Sequence, residues 1–136
     1  MAYSATVTVT PVTATSWRGY ILTIAETEAA ASSETEIVLA DAGLPAMGRI
    51  ITQRSRLTAG TGTTIDPVLG NQTNPAAGDW LVENDTAAAA VHNVPAAGIP
   101  YGSDITSFFH RAVPNDATAD HSITTTYYIV SGWGDR

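Results

Sequence analysis

The run of residues 121–133, HSITTTYYIVSGW, constrains the fold more than any other part of the sequence. β-Branched and aromatic residues occupy most of its positions, and it contains no proline. This composition predicts a β-strand, because branched and aromatic side chains pack well on a pleated surface. Bulky residues stand at odd and even positions alike, so both faces of the strand should be covered, as in the middle of a sheet. A central strand this late in the chain must pair with much earlier strands, which indicates a Greek-key-like topology.

Similar strand patterns recur along the chain, separated by residues that favour turns. The clearest cover residues 3–12, 17–27, 35–39, 49–58 and 103–113. Pro11 falls inside the first pattern and marks it as an edge strand or a bend. In the fourth pattern, alternation places Ile51 on the same face as Gln53. The neighbours Arg49 and Ile50 cannot then share the other face, which predicts a bulge near the start of this strand.

Weaker signals lie in the middle of the chain. The Gly- and Thr-rich segment 59–64 is interpreted as a flexible loop. Residues 80–83 are predicted to form a short strand, 84–86 a tight turn, and 87–94 the second strand of a small hairpin. About eight or nine short strands with little helix predict an all-β fold. We expect a single-domain antiparallel β-sandwich or jelly-roll-like barrel with long loops, spanning residues 1–136.

The charge balance and composition argue against several classes of partner. The net charge of -7 and the pI near 4.6 do not suit a nucleic-acid backbone, which requires clustered positive charge. No window approaches the ~18 consecutive apolar residues of a membrane-spanning helix. The start MAYSATVTVT has neither the basic nor the apolar part of a secretory signal, so we expect synthesis in the cytoplasm, with no nucleic-acid or membrane partner. Cysteine is absent, which removes disulfides, thiolate chemistry and Cys-based zinc sites.

All six basic residues are arginine, and only 14% of the residues are charged. A free monomeric surface usually carries ~25–35% charged residues, so a partner is expected to cover part of this one. The exclusive use of arginine reflects either the base composition of the gene or planar, bidentate contacts at an interface. Arg49, Arg54 and Arg56 form the one basic cluster of the sequence. This cluster is either a solvated strand face or an intersubunit contact with the acidic residues Glu83 and Asp85, and these five are the interface candidates.

No arrangement of reactive residues in the sequence indicates an enzyme. His92, His110 and His121 lie on different segments, and no Gly-x-Ser-x-Gly elbow is present. Asp120 and Ser122 flank His121, but adjacent residues of a strand point to opposite faces, so these three cannot form a catalytic triad. We expect no catalytic residue, no cofactor and no metal site.

Three further features have both a functional and a structural interpretation. Asp104, Asp116 and Asp120 could gather around calcium, but aspartate at such positions more often closes a turn. The Gly-Thr-Gly segment 60–62 could bind an anion through its backbone, but it lacks the lysine of a P-loop and no helix clearly follows. The larger aromatic residues could line a carbohydrate-binding face, although in a small β-protein they are more often core residues. They are Trp17, Trp80, Trp133, Tyr101, Tyr127 and Tyr128.

Two stretches with Gly, Thr and Pro patterns carry a resemblance when taken together. They are LTAGTGTTIDPVLGNQTNPAAGDWLVEN, residues 57–84, and FHRAVPNDATADHSITTTYYIVSGW, residues 109–133. The chain resembles the small virion structural proteins of tailed bacteriophages, and its size and acidity are most similar to those of capsid decoration (cement) proteins. The resemblance covers about half of the chain and implies a β-rich protein without enzymatic activity that binds as a trimer between capsomers. The long basic N-terminal arm of some decoration proteins has no counterpart here.

Together these observations predict a non-enzymatic bacteriophage virion protein, a capsid decoration protein that stabilises the head lattice through oligomeric contacts. Its partner would be the major capsid protein or another virion protein, and its location the capsid surface of the virion. A homo-oligomer is expected, with a trimer favoured. Two alternatives remain, a tail, neck or head-fibre component of the virion, and a carbohydrate-binding β-sandwich module that uses Tyr101, Trp80 or Trp133.

Overall fold

The computed structural model describes most of the chain as β-strands in two antiparallel sheets. The described residues are 3–13, 18–29, 33–60, 64–71, 80–83, 87–88, 98–114 and 121–131. Two stacked sheets with one short helical turn confirm the expected all-β sandwich.

The first sheet contains five strands in the order β1, β2, β10, β4, β8. The second sheet has the order β3, β9, β5, β6, and β7 also pairs with β5. The elements are β1 (Ser4–Thr13), β2 (Arg18–Ala29), β3 (Thr35–Val38), α1 (Leu39–Ala42), β4 (Gly48–Ala59), β5 (Thr64–Gly70), β6 (Trp80–Glu83), β7 (Ala87–Ala88), β8 (Ile99–Tyr101), β9 (Ser107–Pro114) and β10 (His121–Ser131).

The last strand, β10, lies in the centre of the first sheet, between β2 and β4. Its odd-numbered residues from His121 to Ile129 are buried, and the even-numbered residues between them are half-buried on the outer face. The expected central strand with both faces covered is therefore confirmed. Its pairing is non-local, because Tyr127 lies opposite Leu22 on one side and Gln53 on the other.

The predicted bulge near the start of β4 is confirmed, and it changes which isoleucine is buried. Tyr128 pairs with Thr52 and the next residue, Ile129, pairs with Ile50, so Ile51 is the extra residue. Ile50 is fully buried whereas Ile51 is only half-buried. The expectation that Ile51 lies on the inward face with Gln53 is wrong, because simple alternation ends at the bulge.

The small hairpin predicted for residues 80–94 is not formed in the described part of the chain. β6 and β7 both run antiparallel to β5, with Glu83 opposite Val68 and Ala87 opposite Ile65. The two short strands therefore follow one another along the same edge of β5, a strand that sequence analysis did not predict. Pro67 lies inside β5 and is paired with Ala112 of β9.

The main core lies between the sheets and is built on β2, β4 and β10. Its fully buried members include Leu22, Ile24, Ile50, Phe108, Tyr127 and Ile129. A smaller cluster of Ala29, Ile65, Ala112 and Ile123 fills the other end of the sandwich. Both clusters draw on both sheets, so neither sheet can bury its apolar face alone.

Candidate functional site

A chain of polar side chains crosses the interior between the two sheets. Oε1 of Glu26 on β2 lies 2.9 Å from Nε2 of His110 on β9. Nδ1 of His110 lies 2.8 Å from the hydroxyl oxygen of Tyr127 on β10, and that oxygen lies 3.0 Å from Nε2 of Gln53 on β4. All four residues are at most 2% exposed. Two strands of the first sheet, β2 and β10, are thus hydrogen-bonded to β9 of the second, and β4 is connected to them through Tyr127.

The series of hydrogen-bonded side chains continues from Glu26 towards β1 and β3. The hydroxyl of Tyr3 donates a hydrogen bond of 2.8 Å to Oε2 of Glu26, and it is also hydrogen-bonded to the hydroxyl of Thr35. Burial is the main cause that raises the pKa of Tyr3 above its usual value, and the nearby Glu26 carboxylate adds to it. The Tyr3 hydroxyl therefore keeps its proton and remains a donor to Glu26.

The protons in this chain can be assigned from its donors and acceptors. The Gln53 amide nitrogen can only donate, so the oxygen of Tyr127 accepts from it, and the Tyr127 proton is directed to Nδ1 of His110. His110 then carries its own proton on Nε2 and donates it to Glu26. The carboxylate of Glu26 receives one hydrogen bond on each oxygen, which offsets the cost of burying it.

These side chains join the two sheets, and their burial places them poorly for catalysis. Glu, His and Tyr in hydrogen-bonded series can move protons, but a catalytic group must also reach its substrate. His110 and Tyr127 are 0% exposed, and their rings pack edge to face with centroids 5.7 Å apart. Burial raises the pKa of Tyr127 well above its usual value, so it stays a neutral donor. This series of hydrogen-bonded side chains therefore holds the two sheets together.

Of the two other histidines, one lies among the described residues. His121 is 1% exposed at the start of β10, where its ring lies against Gly60 so closely that a side chain at residue 60 would collide with it. His92 lies outside the described residues. Gly60 has a φ of 119°, so both its conformation and its contact with His121 require glycine.

Sequence analysis missed the polar chain, although part of its signal was present. Glu26 follows Leu22 and Ile24 at a spacing of two, so it belongs to the inward face of β2. His110 follows Phe108 in the same way on β9. A charged residue in an inward-facing series predicts a buried partner. Which residue is the partner depends on the pairing of strands 84 residues apart, which no local pattern contains.

The three arginine candidates lie on the outer face of the first sheet. Arg54 and Arg56 are exposed on β4, where they lie opposite Thr126 and Thr124 of the neighbouring strand β10. Arg49 is half-buried on the same strand. The bulge at residue 51 puts Arg49 back on the outer face, because it turns the neighbouring Ile50 inward. The structure therefore brings all three arginines to one face.

Rows of threonine extend from the arginines across the sheet. One row runs from Arg54 through Thr126 and Thr23 to Thr8, and the next from Arg56 through Thr124 and Ala25 to Thr6. We call these eight residues the threonine–arginine face. At its arginine end, Arg54, Arg56, Thr124 and Thr126 border a shallow depression of about 330 Å³. Guanidinium and hydroxyl groups together provide hydrogen-bond donors that suit a carboxylate.

The two acidic interface candidates come from the segment at and just after the end of β6. Glu83 belongs to β6 at the edge of the second sheet, and its side chain lies outside the described residues, as does all of Asp85. Because the arginines lie on the outer face of the first sheet and β6 belongs to the second, the predicted contact is one between two subunits. It stays a prediction.

A groove that sequence analysis did not predict opens between the edge strands β1 and β3. It measures about 450 Å³, and both apolar side chains and the carboxylates of Glu36 and Asp41 line it. Its lining residues are Val7, Val9, Glu36, Ile37, Val38, Asp41 and Ala42, and we call it the acid-rimmed groove. Val7 and Val38 are each 37% exposed. The groove joins edges of two different sheets, so no single stretch of sequence shows it.

The structure removes Tyr101 and Tyr127 from the proposed carbohydrate-binding face, whereas Tyr128 is half-buried on the outer face of β10. Tyr101 is 4% exposed and donates a 2.8 Å hydrogen bond to the carbonyl of Pro45, and Tyr127 is fully buried. Neither ring can stack on a sugar, because both serve the core. Trp17 and Trp133 lie outside the described residues, and the side chain of Trp80 does so as well.

Among the described residues, no three His, Asp or Glu side chains are grouped to hold a metal ion. Asp104 lies in a turn of the described part, whereas Asp116 and Asp120 fall outside it. No helix in the described ranges is long and apolar enough to cross a membrane. No protein-family model, curated protein or solved structure matches the chain.

Proposed function

We propose that the chain is a non-enzymatic structural protein of a bacteriophage virion, a capsid decoration protein that stabilises the head by contact. The observation that carries this proposal is the division of residues between interior and surface. Glu26, His110 and Tyr127 are sealed inside and bonded to one another, out of reach of a substrate. The outer face of the first sheet presents ordered rows of threonine ended by Arg54 and Arg56.

Such a protein stabilises a shell by binding the assembled state more tightly than its separate subunits. A partner present at 100 times its dissociation constant adds about 2.7 kcal/mol to the state that it binds. Short side chains such as threonine can approach a partner closely, and arginine–carboxylate pairs fix the register of the contact. We include in the proposal a homo-oligomer, with a trimer favoured, whose partner is the major capsid protein or another virion protein.

The proposal is tested by mass and by binding to particles. Native mass spectrometry of the purified protein should give a multiple of the 14.2 kDa chain. Phage heads lacking the protein should bind it on sedimentation and should resist heat or chelators better once it is bound. A chain that stays monomeric and binds neither heads nor any other virion component contradicts the proposal.

Electron microscopy of labelled particles separates the capsid from other positions. Label spread regularly over the head supports decoration, whereas label confined to the neck, tail or head fibres supports the alternative virion role. Arg54→Ala with Arg56→Ala should weaken binding while leaving the circular dichroism spectrum unchanged, because both side chains are exposed.

A further inference from the structure

Two surfaces of the chain are complementary in charge and number but cannot meet within one molecule. The acid-rimmed groove carries the exposed carboxylates of Glu36 and Asp41. The threonine–arginine face carries the exposed guanidinium groups of Arg54 and Arg56. β4 is three strands from β1, about 14 Å at the usual strand spacing, and its arginines point away from the second sheet.

We infer that the acid-rimmed groove of one copy receives Arg54 and Arg56 of a second copy, so that the chains associate head to tail. This rests on the proposed homo-oligomer and names its contact surfaces. Each guanidinium would meet one carboxylate, in the planar geometry that arginine favours. The aliphatic parts of both arginines would cover Val7 and Val38, which are otherwise partly exposed to water.

A second copy carries the positive groups that the groove requires, although the protein as a whole is acidic. The protein has a net charge of -7, so two acidic copies repel one another unless their few positive groups are directed at negative ones. Among the described arginines, Arg18, Arg54 and Arg56 are exposed, and the last two lie side by side on one strand. They are the adjacent pair that the two carboxylates of the groove can match.

The contact is heterologous, because it joins two different surfaces. Heterologous contacts repeat from copy to copy and close into a ring when the rotation between neighbours allows it. A trimer is the ring that the proposed function favours. A two-fold dimer would make the groove-to-arginine contact twice, once in each direction, so the number of copies in the native assembly distinguishes a ring from a dimer.

Charge reversal tests the inference directly. Arg54→Glu with Arg56→Glu, and separately Glu36→Arg with Asp41→Arg, should each weaken self-association by about 100-fold or more, because like charges would then face one another. Sedimentation velocity over a range of concentrations measures the change. All four substitutions in one chain reverse both surfaces, restore the attraction and return the net charge to the native value. This fourfold variant should assemble as the native chain does.

Mixing the two double variants tests the head-to-tail geometry. The arginine variant carries negative charge on both surfaces and the groove variant carries positive charge on both. In a mixture, either surface of one variant therefore attracts the opposite surface of the other, whereas copies of the same variant repel. A ring of three cannot alternate two kinds of subunit, so the mixture should form pairs and no closed trimers. A matched pair of single variants gives the control: Arg56→Glu should weaken self-association, whereas Arg18→Glu, which makes the same change in net charge away from the contact, should leave the assembly intact.

Failure of the inference can be told apart from failure of the proposed function. If the native chain forms trimers and both double variants do so equally well, the surfaces are wrongly assigned although the oligomer stands. If the variants stay trimeric but lose binding to heads, the occupant of the groove is a capsid protein, and the assignment to a second copy is overturned. If the native chain is monomeric at every concentration, the inference and the proposed homo-oligomer both fail.

Discussion

At the scale of single residues, the buried hydroxyl of Tyr127 connects more of the structure than its size suggests. It accepts from Gln53 on β4 and donates to His110 on β9, so its loss would leave a buried donor and a buried acceptor without partners. A buried polar group that loses its partner costs about 1–3 kcal/mol. The polar chain is therefore expected to be sensitive to a change of one atom.

Tyr127→Phe tests this expectation, because it removes one oxygen and keeps the ring. We expect the free energy of unfolding to fall by ~1–3 kcal/mol, as measured by urea denaturation. Tyr20→Phe on β2 removes the same atom from a half-buried ring and should cost less than ~0.5 kcal/mol. Equal losses for the two variants would contradict the role of the Tyr127 hydroxyl.

The same residue predicts how stability depends on pH. Burial raises the pKa of Tyr127 above the usual value of 10.0, so the folded chain keeps a proton that the unfolded chain releases. Stability is then unaffected below pH 10.0 and falls as the pH rises above it, by about 1.4 kcal/mol per pH unit for this group. Urea midpoints between pH 8 and 11 should show this loss. The slope above pH 10 should be smaller in Tyr127→Phe, and an unchanged slope would exclude the effect.

At the scale of elements, strands were easier to predict than their pairings. Alternation located β1, β2, β4, β9 and β10 to within a few residues, because apolar and polar residues alternate along a strand whose two faces differ in burial. β5 was missed because Asp66 and Pro67 interrupt its pattern. The prediction that β6 and β7 form a hairpin was wrong, because a turn signal does not determine which strand each segment pairs with.

The bulge in β4 gives a matched pair of substitutions. Ile50→Ala should cost about 2–5 kcal/mol, because Ile50 is fully buried in the main core. Ile51→Ala should cost less than half as much, since the extra residue of the bulge is only half-buried. Thermal and urea unfolding of both variants measure the difference. A greater loss for Ile51→Ala would mean that simple alternation, without a bulge, describes the strand.

At the scale of the whole molecule, the candidate surfaces depend on the topology more than on any motif. The arginines could be grouped from sequence alone, because they lie on one strand. Their threonine partners come from β10, β2 and β1, which only the sheet order brings together. The acid-rimmed groove and the Glu26–His110 pair likewise join segments that are distant in the chain. Local patterns carry no information about such contacts.

This topology makes β10 the element on which the first sheet depends. β2 and β4 each pair with β10 and not with one another, so without it the first sheet separates into β1–β2 and β4–β8. Each fragment would be a two-stranded unit, which is at best marginally stable in water. The inward residues Ile123, Tyr127 and Ile129 would also be lost from the core.

A chain that ends at residue 120 should therefore be unfolded, and a peptide of residues 121–131 should restore the sheet signal in circular dichroism when added to it. The peptide supplies both the backbone hydrogen bonds of the central strand and its buried side chains. A peptide of the same length with Ile123, Tyr127 and Ile129 replaced by threonine keeps the strand-forming residues but not the core contacts. It should fail to restore the signal, because backbone pairing without apolar burial does not offset the loss of conformational entropy. Recovery with both peptides, or a folded truncated chain, would show that the sandwich is held by strands other than β10.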